Sequence, residues 1–304
     1  MKRLAFLLTG LLVAGGLAGT AAAAELTGTL KKIKDGGAIT IGHRDSSIPF
    51  SYYDDKQQPI GYAVDLCLRI VDAVKSELKM SKLPVKYQLV TSANRIPLMA
   101  NGTIDLECGS TTNNLARQKE VSFTITHFLT ATRLVSKKSS NIKSVNDLKG
   151  KIVTSTSGTT NIRQLTELNT SKSMGMNIIP ANGHAEAFQT VETGRAVAFA
   201  MDDILLSGLV AQSRNPSEFV ISDFALSLPE PYGIMLRKDD PAFKKVVDAA
   251  MTQIYKSGQI NGIYQKWFQK AIPPKNVNLN LPMSAQLKKV IANPTSSGDP
   301  NDYK

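Results

Sequence analysis

The stretch Asn101-Gly102-Thr103-Ile104-Asp105 has a counterpart at Thr193-Gly194-Arg195-Ala196: in each, a glycine-containing turn hands a helical pattern over to an apolar strand. Outward from the first, strand-like runs at 38–43, 85–90 and 103–107 alternate with a helix opening at Val64 and a short helix around 95–101. Around the second, strand-like runs at 131–136, 145–148, 151–155, 176–179 and 196–201 alternate with helices over 159–168 and 184–193. Such alternation argues for α/β layers. Its repetition argues for two lobes built alike.

After Pro229-Glu230-Pro231 the run Tyr232 to Arg237 reads as one strand, followed by an amphipathic helix. Phe243, Val246, Val247, Ala250, Ile254 and Tyr255 recur on it at helical spacing, and Gly258 is placed to stop it. A further helical stretch, 262–268, carries Trp267, whose expected role is core packing. The tail from Pro273 is rich in Pro and Asn, with a helical turn or two around 284–291 and then a polar stretch expected to be mobile.

Lys2 and Arg3, the apolar run 4–19 and Ala22-Ala23-Ala24 before Glu25 read as an export signal cleaved after Ala24. No later run is long and apolar enough to span a bilayer. Removing 24 of the 304 residues, two basic ones among them, leaves enough chain for two lobes and a net charge still well above zero. The lysines are scattered and no aromatic residues interleave with them, which argues against nucleic acid as a partner. Cys67 lies on the apolar face Val64, Cys67, Leu68, Val71, Val74, Leu78, and Cys108 ends a strand that could pack beneath it. In an oxidising compartment the two could form a disulfide; two buried thiols is the other reading. No His or Cys pair stands at zinc-ligand spacing, so neither a metal nor a cofactor is expected.

The run Glu107-Cys108-Gly109-Ser110-Thr111-Thr112-Asn113-Asn114-Leu115-Ala116-Arg117 sets small hydroxyls and one guanidinium just after a strand. Arg offers a carboxylate two parallel hydrogen bonds where Lys offers a point charge. The cluster therefore suits the charged ends of a zwitterion.

With it stand Gly42-His43-Arg44-Asp45-Ser46-Ser47-Ile48-Pro49-Phe50-Ser51-Tyr52, Gly61-Tyr62-Ala63-Val64-Asp65-Leu66, Ser92-Ala93-Asn94-Arg95-Ile96-Pro97, Ser157-Gly158-Thr159-Thr160 and Met201-Asp202-Asp203. In this order, over nearly all of the chain beyond the signal, the set resembles the periplasmic solute-binding proteins of polar amino-acid ABC importers, most of all the glutamate/aspartate branch. The resemblance departs in one place. A relative in that branch has a second cysteine in the segment matching 232–234, where this chain has Ile234 and places a cysteine at 67 instead.

The resemblance implies an α/β fold of type II, a two-lobe clamp with a two-strand hinge, each lobe a mixed sheet flanked by helices. Lobe one would comprise 25–134 and 229–304, and lobe two 135–228. It implies a monomeric periplasmic protein, not an enzyme, that captures L-glutamate and L-aspartate for an ABC-transporter permease. Ser110, Thr112 and Arg117 would hold the α-groups, Arg117 clamping the α-carboxylate, helped by Thr159 and Thr160 at a helix start, whose free N–H groups favour anions. Asp202 would pair the α-ammonium, and Arg44, Ser92, Arg95 and His184 the distal carboxylate. Three guanidiniums against Asp202, with His184 adjusting by its protonation, suit a ligand with two negative charges and one positive. Phe50 and Tyr52 are expected to wall the cleft, with the core an equal reading for an aromatic in that place, and His43 and His127 to be structural. Glutamine or asparagine is the near miss among ligands. A sensing module serving a kinase or chemoreceptor is an alternative use of the same clamp, and an enzyme on it would need a general acid besides Asp202.

Overall fold

The computed structural model describes residues 25–304; the export-signal reading falls on residues 1–24 and lies outside the described residues. In chain order the elements are α1 (Gly28–Gly36), β1 (Ile39–His43), α2 (Tyr62–Glu77), β2 (Val85–Leu89), α3 (Arg95–Ala100), β3 (Leu106–Glu107), β4 (Val121–Phe123), β5 (Phe128–Thr130), β6 (Thr132–Lys137), β7 (Ile152–Thr156), α4 (Thr160–Ser171), β8 (Asn177–Ala181), α5 (His184–Glu192), β9 (Ala198–Asp202), α6 (Asp203–Gln212), β10 (Phe219–Ile221), β11 (Glu230–Tyr232), β12 (Met235–Arg237), α7 (Pro241–Lys256), α8 (Gln259–Phe268) and α9 (Ala285–Ala292).

The repeat seen in the sequence is a repeat of topology. One five-stranded sheet has the order β2-β1-β3-β12-β4 and the other β8-β7-β9-β6-β10. In each, a parallel trio is extended by two strands in antiparallel register. Between the sheets, β5 and β11 pair as a two-stranded antiparallel ribbon, Thr130 opposite Glu230 and Phe128 opposite Tyr232. The chain therefore leaves the first sheet once, builds the second, and returns to supply β12. Strand β6 lies whole in the second sheet, starting upstream of residue 135, where the second lobe was expected to begin.

Burial follows the periodicities. Along α2 the buried positions Ala63, Leu66, Cys67, Ile70, Val71 and Val74 recur every three or four residues, with each Leu, Ile or Val among them worth about 1.5–3 kcal/mol. A separate core of Leu134, Val153, Leu165, Ala198 and Ala200 fills the second sheet's side. No helix among the described residues is long and apolar enough to cross a membrane.

Four local expectations are corrected. Residues 145–148 form a 3-10 turn and not a strand, because the Asp147 carboxylate accepts the backbone N–H groups of Lys143 and Ser144 and closes the chain on itself. The run 232–237 is two strands, interrupted at Gly233-Ile234 where the chain passes from the ribbon into the first sheet. Phe50 and Tyr52 are core residues: the Phe50 ring lies 5.0 to 5.9 Å from those of Phe128, Tyr232, Phe268 and Tyr62, and Tyr52 packs on Trp267. The C-terminal stretch is docked, with Tyr303 buried and its hydroxyl hydrogen-bonded to Thr126 and to the Ser297 carbonyl.

The cysteine question resolves as a disulfide between Cys67 on α2 and Cys108 just after β3. It closes a loop of sequence separation 41, for which loop-closure entropy gives about 4 kcal/mol. Urea unfolding of the Cys67→Ala/Cys108→Ala double variant is expected to show a loss of that order. An unchanged midpoint would mean the bridge contributes nothing to the folded state.

Candidate functional site

The parallel strands of each sheet point their carboxyl ends at one crevice, the place where open α/β sheets gather ligand-facing groups. Arg44 directly follows β1; Ser92 and Arg95 follow β2, with Arg95 opening α3; Ser110, Thr112 and Arg117 follow β3. From the other lobe, Thr159 and Thr160 follow β7 at the start of α4, His184 follows β8 and opens α5, and Asp202 ends β9. All these sequence-derived candidates come together at the facing strand ends. None is more than 7 % exposed, so the crevice is shut and water is largely kept from it.

Contacts across the crevice show how it shuts. Arg117 Nη2 donates to the Gly158 carbonyl at 3.2 Å while its Nη1 donates to the Thr112 carbonyl at 2.8 Å. Gly158 (φ +75°) approaches the Ala93 backbone so closely that a Cβ would lie 2.5 Å from the Ala93 Cα, which explains a glycine there on two counts.

Within the closed space several polar atoms have no protein partner. Nε and Nη1 of both Arg44 and Arg95 are buried without a hydrogen bond, as are the hydroxyls of Ser92 and Ser110. Leaving such donors unmade costs on the order of 1–3 kcal/mol each, more for a charged group, so a cluster of them on three neighbouring strand ends marks a place built for an acceptor from outside the chain. Thr159 is occupied locally: its hydroxyl donates to the Thr156 carbonyl and accepts from the Ile162 N–H as an N-cap. Thr160 reaches towards Glu230 at 3.4 Å. His184 Nδ1 shares a 2.9 Å hydrogen bond with the Thr156 hydroxyl, leaving Nε2 for another partner.

Burial first, and then the charge of Arg95, press on Arg44 and Arg117, whose pKa values fall to about 10 and about 9; both remain cations at neutral pH. Burial, with Arg44 and Arg95 beside it, holds His184 well below its usual value. Without ligand His184 is therefore a neutral hydrogen-bonding group at neutral pH.

The count of carboxylates is corrected too. Asp202 accepts hydrogen bonds from Asn161 at 2.7 Å and from the Tyr232 hydroxyl, but it is not the lone acid. Glu230 is held by Gln164 and Thr160, and burial together with the Asp202 charge pushes it up to about 8. Burial raises Asp202 as well. Two acids so placed hold one proton between them at neutral pH. Glu107 is fully buried, accepts from the Thr111 hydroxyl, and has Oε1 4.0 Å from Arg95 Nη1. Three guanidiniums thus face Glu107 and one net charge on the Asp202–Glu230 pair, leaving a surplus of one positive charge.

Glu107, Glu230, Asn161, Gln164 and Tyr232 were missed by sequence reasoning. Asn161 and Gln164 stand three apart on α4, so both face inward from one side of the helix; that spacing beside Thr160 was a usable signal. Nothing local distinguished Glu230, which reads as a turn acid between two prolines.

Residues 39–270 match the family described as bacterial extracellular solute-binding proteins, family 3. The chain is 56 % identical over 290 residues to the L-glutamate/L-aspartate-binding protein of Pseudomonas aeruginosa, covering 95 % of this chain and 96 % of that one. It is 46 % identical over 295 residues to the glutamate/aspartate import solute-binding protein of Escherichia coli, covering 97 % of each. Among solved structures, a mutant of ArgBP from T. maritima superposes with TM-score 0.68 at 27 % identity, over 79 % of this chain and 99 % of that one. The two-lobe α/β fold is shared with that structure.

Proposed function

This chain belongs to family 3 of the bacterial extracellular solute-binding proteins, and we propose that it captures L-glutamate and L-aspartate outside the inner membrane and surrenders them to the permease of an ABC importer. In this reading residues 1–24 are an export signal, the protein works as a monomer in the periplasm, and the lobes meet at crossovers near residues 131 and 229. The observation that carries the ligand class is the set of unpartnered buried donors on Arg44, Ser92, Arg95 and Ser110 within a site one positive charge in surplus. A dicarboxylic amino acid has a net charge of −1, which cancels that surplus, whereas a neutral ligand leaves a guanidinium uncompensated in a dry cleft.

Each group then has a task. Arg117, with Ser110, Thr112 and the N-terminal N–H groups of α4 near Thr159 and Thr160, holds the α-carboxylate. Asp202 pairs the α-ammonium, oriented by Asn161 and Tyr232. Arg44, Ser92, Arg95 and neutral His184 take the distal carboxylate. Because the set is divided between lobes, the ligand makes all its bonds only in the shut arrangement and shifts the population towards it. No step of chemistry is needed. A thermal-shift panel of the protein amino acids tests the reading: glutamate and aspartate should raise the unfolding midpoint well above all others, and a response to arginine or to aliphatic amino acids instead would sink it.

The acid pair makes binding pH-dependent. Glu230 holds its proton up to about 8, and the surplus positive charge exists only while it does. Affinity for glutamate should therefore be level around neutral pH and fall as the pH rises through about 8, where Glu230 ionises and the surplus is lost. Equilibrium dialysis between about pH 6 and 9 reads that fall, and Glu230→Gln should remove it.

A further inference from the structure

The matched family region ends at residue 270, yet the last residues of the chain lie directly behind the ligand-clamping segment. Asn113, fully buried, donates from Nδ2 to the carbonyls of Ser296 and Ser297 at 2.9 and 3.1 Å. Gln118 donates to the Ser296 carbonyl at 3.0 Å and to Asn113 Oδ1 at 2.8 Å. Gly298 lies flat on the Asn114–Leu115 backbone, where a Cβ would come within 2.8 Å of the Asn114 carbonyl carbon. The front of the same segment is the ligand side: the Thr112 carbonyl and the Asn114 side chain hold Arg117 through its Nη1 and its backbone N–H.

The tail also reaches the crossovers. The Thr126 N–H donates to the Thr295 carbonyl at 2.8 Å, and its hydroxyl meets that of Tyr303 at 2.8 Å, two residues before β5 begins. On the neighbouring strand, the Asn113 N–H donates to the Pro231 carbonyl of β11 at 2.8 Å. Asn113 is thus pinned to the hinge ribbon by its backbone and to the tail by its side chain.

We infer that residues 295–303 are a brace that positions the 110–118 segment against the hinge, so that the far C-terminus sets ligand affinity without touching ligand. This rests on the binding reading above. Its physical basis is preorganisation: a clamp segment already ordered before the ligand arrives loses less entropy on binding. The glycine at 298 and the buried hydroxyl of Tyr303 are features a passive polar tail would not require.

Gly298→Val in the full-length chain tests it, since the added side chain meets the Asn114–Leu115 backbone; Tyr303→Phe is the milder companion. The expected results are a loss of glutamate affinity of about tenfold in Gly298→Val, expressed mainly in the dissociation rate, and faster amide hydrogen exchange confined to 113–118 and 126–127 in the ligand-free protein. Other amides and the unfolding midpoint should stay close to those of the unaltered chain. Unchanged exchange across 113–118, or unchanged affinity with the tail displaced, overturns the brace. Failure of the unaltered chain to bind glutamate would count against the ligand reading instead, and the exchange comparison, which needs no ligand, would still decide the brace.

Discussion

Alanine in place of Arg117 is expected to abolish binding of every amino acid, acidic or neutral, at concentrations that saturate the unaltered chain. The α-carboxylate is common to them all, and in the closed cleft it is taken fully out of water. Removing the partner of a buried charge costs about 3–5 kcal/mol, or roughly two to four decades of affinity. Arg117 also carries the contact from the Thr112 carbonyl to the Gly158 carbonyl across the cleft, so its loss removes a closing contact as well. Equilibrium dialysis with labelled glutamate and glutamine measures both. Retained binding of either at near-native affinity would remove Arg117 from the clamp.

Methionine in place of Arg44 or of Arg95 should behave differently, because these guanidiniums are assigned to the distal carboxylate. Either change removes the site's single surplus charge. Glutamate affinity should then fall by about 3 kcal/mol, roughly a hundredfold, while glutamine loses far less, so the preference between them narrows or inverts. In Arg44→Met the fold should not suffer in proportion. Burial first and then the charge of Arg95 lower the Arg44 value in the free protein, and both side chains carry buried N–H groups without partners. Arg44→Met relieves that conflict and leaves Arg95 opposite Glu107, whereas Arg95→Met strands the buried Glu107 carboxylate and should lower stability as well. For Arg44→Met, weaker glutamate binding with an equal or higher unfolding temperature is the expected signature. A fall in stability with unchanged ligand preference would make these residues structural.

Much of this site could be read before any coordinates, because it is assembled from strand ends. Arg44, Ser92 and Ser110 each follow a short apolar run within a few residues, as do Thr159, His184 and Asp202 in the other lobe, and the parallel topology of the two trios brings such positions together automatically. What could not be read is whatever depends on neighbours distant in sequence. Glu230 becomes a cleft acid only because β11 runs beside β5 at the crossover, and the pairing of Asn113 with Ser296 spans separations of more than half the chain. Hydropathy failed for Phe50 and Tyr52 for a related reason: an aromatic next to polar residues reads equally well as cleft wall or core, and only the ring cluster with Tyr62, Phe128, Tyr232 and Phe268 decides. The polar tail misled because its burial comes through backbone carbonyls, which composition does not reveal.

Glutamate and glutamine are nearly the same size and differ at the distal end by one charge, so comparing them isolates the electrostatic claim. Calorimetric titration of the chain beginning at Glu25, unfolded and refolded to strip bound ligand, should give glutamate an affinity at least about a hundred times that of glutamine. Equal affinities, or a preference for glutamine, would mean that the guanidiniums of Arg44 and Arg95 are compensated by the protein itself and that the acidic-ligand reading is wrong.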